Sequence, residues 1–389
     1  MVNLGDYQVE HLLLTVGGNP LPCAVAAKLL LKPGGIIHLV YSTASERAAS
    51  RIFSTLKADQ TCAIPLEQFE RDSDTVYDRV LRYVAELPRD ARIGLHYTGG
   101  TKVMSVHAHR AVRAVRPEAV MSYLDAARLE LLIERPDAQR DAALSLREPS
   151  VRAACALTLD DLWALHGIEP LPPGHDEFHA RTTPVYSKAA RLLGRRFSNG
   201  ERGSWHAAPK SNATPLSSLP FLEVAEAMLA EHPATTTVGD IKTIGGRGQS
   251  WLQGDWLEDY VLGELITHAE EVGICLDTIA CSIITRRPTG RKWFEVDVIA
   301  MRGHQIFVFS CTTSDDPSVC KEKLFEASFR AAQLGGDEAR FALVCDHPNA
   351  GDIRAQLETI LPSERYQVFD RADLHDLGAA LKQWIKRCG

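Results

Sequence analysis

Thr98-Gly99-Gly100-Thr101-Lys102 stands between two hydrophobic patterns of different period, and that change constrains what the chain can form there. Ile93, Leu95 and Tyr97 alternate as one face of a short strand, whereas Val103, Met104, Ala108, Ala111 and Val112 make one stripe of a helix. A Gly-Gly turn that ends a strand and feeds a helix exposes N–H groups with no intrahelical partner. The helix dipole and Lys102 add positive charge at the same place, which suits an anion such as phosphate. The same turn chemistry also serves as a tight turn with no ligand. It is not a Walker loop, because no Gly-Lys-Ser/Thr falls in register with Gly94 and Gly99.

A second loop has the same character. Residues 11–16 read as an apolar strand that runs into Gly17-Gly18-Asn19-Pro20-Leu21-Pro22 and a helix over 23–31. The next strand, expected over 36–41, ends in Ser42-Thr43 before another helical segment. A further strand over 119–124 ends in Asp125 and is followed by an apolar stretch over 129–134. In a parallel sheet the three loops share one carboxyl edge, where open α/β sheets bind ligands. Residues 1–135 therefore read as a Rossmann-like domain. It lacks Gly-x-Gly-x-x-Gly, so neither a nicotinamide nor a flavin cofactor is indicated.

A chain of 389 residues with 45% hydrophobic content can bury two cores. No apolar run reaches the ~20 residues that a membrane span requires, and the opening MVNLGDYQVE lacks the basic start of a signal peptide. Nine cysteines without a C-x-x-C pair fit a reducing cytoplasm and give no zinc site. A net charge of −7 argues against a constitutive, charge-driven nucleic-acid binder and leaves only local basic patches.

Breaker residues mark the boundaries. Arg135-Pro136-Asp137 closes the first sheet, and Thr158 is the expected N-cap of a helix reaching residue 166. Eleven prolines and glycines over 170–220 predict a loop-dominated connector with one short helix over 187–193. Gly245-Gly246-Arg247-Gly248 and Gly254 then precede a helix over 255–272.

That helix opens a second constellation. Glu258 has Leu262 and Leu265 at i+4 and i+7, beside the apolar stripe instead of opposite it. Strands follow over 281–285, 293–301 and 305–312, then a helix over 317–334. In the middle strand Glu295 and Asp297 share one face, with Phe294, Val296 and Val298 on the other. Two acids on one strand face repel, which favours a cation between them, although Glu295 also reads as an exposed carboxylate. Arg286, Arg287, Arg291 and Lys292 flank the preceding turn, as a nucleic-acid backbone contact or a solvated hairpin tip. His107 and His109 cannot share a helix face, which argues against a metal pair.

Tyr97-Thr98-Gly99-Gly100-Thr101-Lys102-Val103-Met104, the Val16-Gly17-Gly18-Asn19-Pro20 turn and the Ser122-Tyr123-Leu124-Asp125 strand resemble a CARF domain, the CRISPR-associated Rossmann fold that senses cyclic oligoadenylates. Leu157–Leu162 and Leu165-His166-Gly167 resemble the connector of CARF effectors with a C-terminal PD-(D/E)xK nuclease, and helix acid, strand acid, hairpin, strand and helix follow that nuclease's order. The resemblance implies an α/β chain with a CARF sensor over 1–135, a connector over 136–250 and a restriction-endonuclease-like domain over 251–389.

It further implies a cyclic oligoadenylate, cyclic tetra-adenylate first, bound by Gly17, Gly18, Asn19, Pro20, Ser42 and Thr98 to Lys102 across a homodimer axis. Glu258 matches the helix acid and Asp297 the strand acid, with Glu295 beside them, around Mg²⁺ or Mn²⁺. The Glu-x-Lys half-motif is replaced by Ser310-Cys311-Thr312. Lys321, on the next helix with Leu324, Phe325 and Ser328 at i+3, i+4 and i+7, is the expected substitute for the missing lysine; Lys323 is weaker, and an ordinary solvated Lys321 is the alternative. The expected activity is a ligand-activated, metal-dependent cut of DNA or RNA by a cytoplasmic antiviral effector. An inactive nuclease domain in a ligand-binding scaffold, and a sensor that degrades its own ligand, are the other readings.

Overall fold

Ile93 and Leu95 lie in the buried middle strand of a seven-stranded sheet, so the alternation that opens the sequence reading marks the centre of the first fold unit. The computed structural model describes residues 4–56, 60–134, 141–170, 180–207, 211–286, 292–357 and 360–388. The chain divides into two units, one running to Ile168 and including Gln333–Glu338, the other Glu169–Ala332 with the chain from Ala339. Among the described residues no helix is long and apolar enough to cross a membrane.

The first unit alternates β1 (Val9–Thr15), α1 (Leu21–Leu30), β2 (Leu31–Ser42), α2 (Glu46–Leu56), β3 (Gln60–Glu67), α3 (Ser73–Glu86), β4 (Ile93–His96), α4 (Lys102–Val115) and β5 (Val120–Asp125). It closes with β6 (Glu130–Ile133), β7 (Ala142–Ser145), α5 (Pro149–Ala154) and α6 (Leu159–His166). The sheet order is β3-β2-β1-β4-β5-β6-β7, parallel as far as β5 and antiparallel beyond it. This is the expected Rossmann-like arrangement, with β1 and β4 adjacent and their carboxyl ends side by side. Every residue of α1 except Pro22 and Lys28 is buried or nearly so, which its alanines and leucines permit. Thr158 caps α6 through a capping box with Asp161, as the sequence predicts. The sheet continues to β7, past Arg135, Pro136 and Asp137, which lie outside the described residues.

The second unit holds β8 (Glu169–Pro170), α7 (Ser187–Ser198), α8 (Arg202–Ala207), α9 (Leu222–Glu231), α10 (Trp256–Val272), β9 (Ile279–Arg286), β10 (Lys292–Arg302) and β11 (Gln305–Thr312). α11 (Pro317–Gly335), β12 (Arg340–Cys345), α12 (Ala350–Leu357), β13 (Tyr366–Phe369) and α13 (Leu377–Arg387) complete the chain. Its sheet runs β13-β12-β11-β10-β9-β8, with β11 to β13 parallel and the rest antiparallel. The stretch expected as a connector over 136–250 divides at residue 168. Its later part is not loop-dominated: Tyr186, Leu193, Phe197, Trp205, Val224 and Met228 join one core with Trp251, Trp256 and Tyr260. The many prolines there separate short helices whose apolar faces this core buries, an amount of order 1.5–3 kcal/mol for each large side chain.

Candidate functional site

In the first unit the two glycine loops interlock through their backbones. A Cβ on Gly17 would stand 2.7 Å from Gly100 N, and one on Gly99 would stand 2.3 Å from Thr15 O and 3.0 Å from Gly17 N. Glycine is needed here because the loops leaving β1 and β4 leave no space for a side chain. Gly100 also takes φ +83°, a conformation that side chains rarely tolerate.

Threonines fix the loop from either side. Thr15 Oγ1 donates to Gly99 O at 2.7 Å, Leu124 N donates to Thr98 Oγ1 at 2.7 Å, and Met104 N donates to the N-cap Thr101 Oγ1 at 3.1 Å. Asn19 Oδ1 accepts from Leu21 N at 3.0 Å, and Pro20 leads into α1. Gly18 faces open space and Lys102 is exposed at the first position of α4. Ser42 ends β2, on the far side of β1, where it is buried and its N–H donates to Ser45 Oγ at 3.1 Å.

The loop histidines have structural partners. His109 Nε2 lies 2.9 Å from Glu134 Oε1, which also accepts from Tyr97 OH at 2.8 Å, while Arg113 reaches Glu134 Oε2 at 3.0 Å. His107 faces Arg110, so the two histidines do not converge.

The second unit brings the predicted acids together. One oxygen each from Glu258, Glu295 and Asp297 lie within 4.8 Å of one another. The alternation on β10 is as expected, with Phe294, Val296 and Val298 buried on the opposite face. Glu258 is only 7% exposed. Burial pushes its carboxyl above the ordinary range, and the nearby Asp297 charge adds to the shift against Arg247.

Neighbouring Asp259 has a different fate. It is fully buried, paired with Arg181, and accepts from Trp251 Nε1 at 2.6 Å and Val185 N at 3.0 Å, so it ties helices together. Ser282, at φ +53° within β9, donates to Glu258 Oε2 at 2.5 Å. Such a left-handed serine stores strain of order 1 kcal/mol, a feature that clusters at functional sites.

The replaced half-motif is visible in the same geometry. Ser310 Oγ and Cys311 N both donate to Asp297 Oδ2, at 3.0 and 2.8 Å, and Thr312 Oγ1 accepts from Ser314 N at 3.2 Å. Ser310 thus orients the strand acid from the slot where the motif has a second acid. The two candidate lysines are placed differently. Lys321 donates to Gln356 Oε1 at 2.8 Å, whereas Lys323 Nζ stands 3.7 Å from Asp297 Oδ2. Two positions on an α-helix differ by about 200°, so only one of the pair can face the acids. Burial opposes the Lys323 charge, but Asp297, Glu326 and Glu258 outweigh it and raise its ammonium above the ordinary lysine range.

Sequence reasoning also passed over Arg247. Its Nη2 is 3.3 Å from both Glu258 Oε1 and Glu295 Oε1, and its Nε is 3.2 Å from Asp255 Oδ2. Gly245 at φ +86° and Gly248 at φ +62° turn the chain on either side of it, and a Cβ on Gly246 would meet Ile241 Cγ2 at 2.4 Å. The signal was an arginine set among glycines, which the sequence reading took as a break before the helix. Arg287 and Arg291 lie outside the described residues; Arg286 and Lys292 pair in register on β9 and β10.

No family profile and no curated protein sequence matches the chain. Among solved structures, protein VC1899 from Vibrio cholerae aligns over 97% of this chain and 98% of its own, with a TM-score of 0.70 at 14% identity. Can2 from Sulfobacillus thermosulfidooxidans, solved in complex with cyclic tetra-adenylate, aligns over 98% and 99%, with a TM-score of 0.69 at 16% identity. A type III CRISPR defence DNA nuclease activated by cyclic oligoadenylate aligns over 88% of this chain and 47% of its own, with a TM-score of 0.55 at 16% identity. The chain has the fold of VC1899 and Can2. That likeness runs through both units.

Proposed function

We propose that the chain is a CARF effector of type III CRISPR defence, in which a cyclic oligoadenylate activates metal-dependent cutting of DNA or RNA. Sensing is assigned to residues 1–135 and cutting to 251–389, with 136–250 joining them. The observation that carries the reading is the convergence of Glu258, Glu295 and Asp297 within a chain that has the fold of Can2. Three hard carboxylate donors on a helix and a strand fit Mg²⁺ or Mn²⁺, which favour oxygen ligands.

A divalent cation bound there would supply charge for the scissile phosphate and acidity for the attacking water. The chain's own groups do the rest. Ser282 orients Glu258, and Ser310 Oγ with Cys311 N fixes Asp297 Oδ2. Lys323, beside Asp297, offers a positive charge to the developing negative charge on phosphate oxygens. In the sensor, the N–H groups of Gly99 to Lys102 and the Lys102 ammonium bind ligand phosphates, and two copies of the loop enclose one ring in a homodimer. Ligand activates cutting by binding the competent arrangement better than the resting one.

The alternative, a ligand-binding scaffold with a silent nuclease domain, is favoured by the absence of a charged side chain at Ser310 and Thr312. Plasmid and single-stranded substrates incubated with each cyclic oligoadenylate and Mg²⁺, Mn²⁺ or chelator test the reading. Cutting only with ligand and metal together supports it. Ligand binding without cutting in any combination selects the scaffold.

A further inference from the structure

Arg247 occupies the place to which a divalent cation would be drawn. Its Nη2 lies 3.3 Å from Glu258 Oε1, 3.3 Å from Glu295 Oε1 and 3.2 Å from Ser282 Oγ. Glu258 and Glu295 supply two of the three carboxylates whose oxygens converge within 4.8 Å. An arginine stays charged at any pH a protein survives, so this positive charge cannot be titrated away. It lowers the mutual repulsion of the acids and thereby weakens the field that attracts a second cation. A metal ion and a guanidinium also need the same carboxylate lone pairs.

The anchor differs from the contested ligands. Arg247 Nε reaches Asp255 Oδ2 at 3.2 Å, and Asp255 is not among the converging three. The side chain therefore has a place to remain when its Nη2 contacts are lost.

We propose that Arg247 is the built-in counter-ion of the carboxylate cluster, and that a divalent cation binds by displacing it from Glu258 and Glu295 while Asp255 retains it. Arg247 then sets how much free metal the site needs, acting on the metal through the acids. The inference rests on the reading that this cluster holds a metal.

Calorimetric titration of Mn²⁺ into the full chain tests it, with wild type, R247Q, R247K and the ligand-deficient D297A. R247Q should bind Mn²⁺ about fivefold or more tightly than wild type, and R247K by a smaller factor, because lysine keeps the charge without the planar fork. The melting temperature of R247Q should fall below that of wild type in chelator and converge with it in saturating Mn²⁺. Binding by R247Q alone would support the inference in its strongest form. Equal or weaker Mn²⁺ binding in R247Q overturns the counter-ion role and leaves the metal reading standing. Absence of binding in every protein, or heat unchanged in D297A, overturns the metal reading and the inference with it. If R247Q fails to fold, R247K decides alone: tighter binding supports the inference, equal or weaker binding overturns it.

Discussion

The loop site of the first unit and the acidic site of the second are built from opposite materials. At Gly17, Gly99 and Gly100 the two loops meet backbone to backbone, and what matters is the absence of side chains. At Glu258, Glu295 and Asp297 the backbone is a frame, and the chemistry lies in charged groups gathered from α10 and β10. A backbone site fails when an atom is added, whereas a side-chain site fails when one is removed. The difference also explains why the interlocking glycine loops can be read locally: Gly17 to Pro20 and Thr98 to Lys102 are two short stretches. The second takes its cations, Arg247 and Lys323, from segments 76 positions apart by residue number.

The comparison breaks first at Asp297. Asp297→Ala should lower ligand-activated cleavage by a factor of at least about 10², while calorimetry finds cyclic oligoadenylate binding unchanged. Loss of both activities together would mean that the sites are not separate. Lys323→Ala should cost turnover a factor of about 10–10², with Lys321→Ala close to wild type. The reverse order would return the role to Lys321.

On the loop side, Gly99→Ala adds a methyl where 2.3 Å separates it from Thr15 O. It should destabilise the chain by roughly 1–3 kcal/mol in urea and abolish ligand binding. A normal melting curve with normal affinity would show that the loops can move apart at no cost. Lys102→Ala removes a charge from an exposed position and leaves the loop intact, so stability should hold while ligand affinity falls by roughly 1.5–3 kcal/mol. Unchanged affinity would take Lys102 out of the site.

The smallest expected effect is acid sensitivity of the first unit. Burial lowers His38 to about 4, helped by His11, and burial lowers His96 to about 3. Both are neutral in the folded chain, so their contribution is complete above the ordinary value of 6.5. It is lost as pH falls from there toward 4, because the unfolded chain takes up protons that the folded one excludes. Urea midpoints between pH 7.5 and 5 should drop less in His38→Gln than in wild type, and equal drops would place the acid sensitivity elsewhere.

How much of this was legible depended on the range of the cause. The strand and helix around Thr98–Lys102, the Thr158 cap and the bounds of β11 are local patterns, and the structure reproduces them. The face shared by Glu295 and Asp297 followed from period-two alternation alone. β3 and β7 were missed because Gln60–Glu67 carries Pro65 and Ala142–Ser145 is only four residues long. The burial of α7 to α9 was hidden by the prolines between them. Choosing between Lys321 and Lys323 required the rotation of α11 against the sheet, which packing sets and i+3/i+4 neighbours do not.

Residues 251–255 are wound as a π-turn directly before α10. Both sides of that turn are pinned: Leu252 O accepts from Trp205 Nε1 at 2.7 Å, and Glu258 accepts from Ser282. A π-turn carries a residue more than the α-turn it replaces. Removing one residue here would rotate everything beyond it by about 100° relative to the tryptophan anchor. Asp259 would lose its place among Arg181, Trp251 and Val185, and Glu258 would turn away from the strand acids. The spacing between anchor and acid therefore acts as a phase setting, a form of specificity carried by residue count instead of residue type.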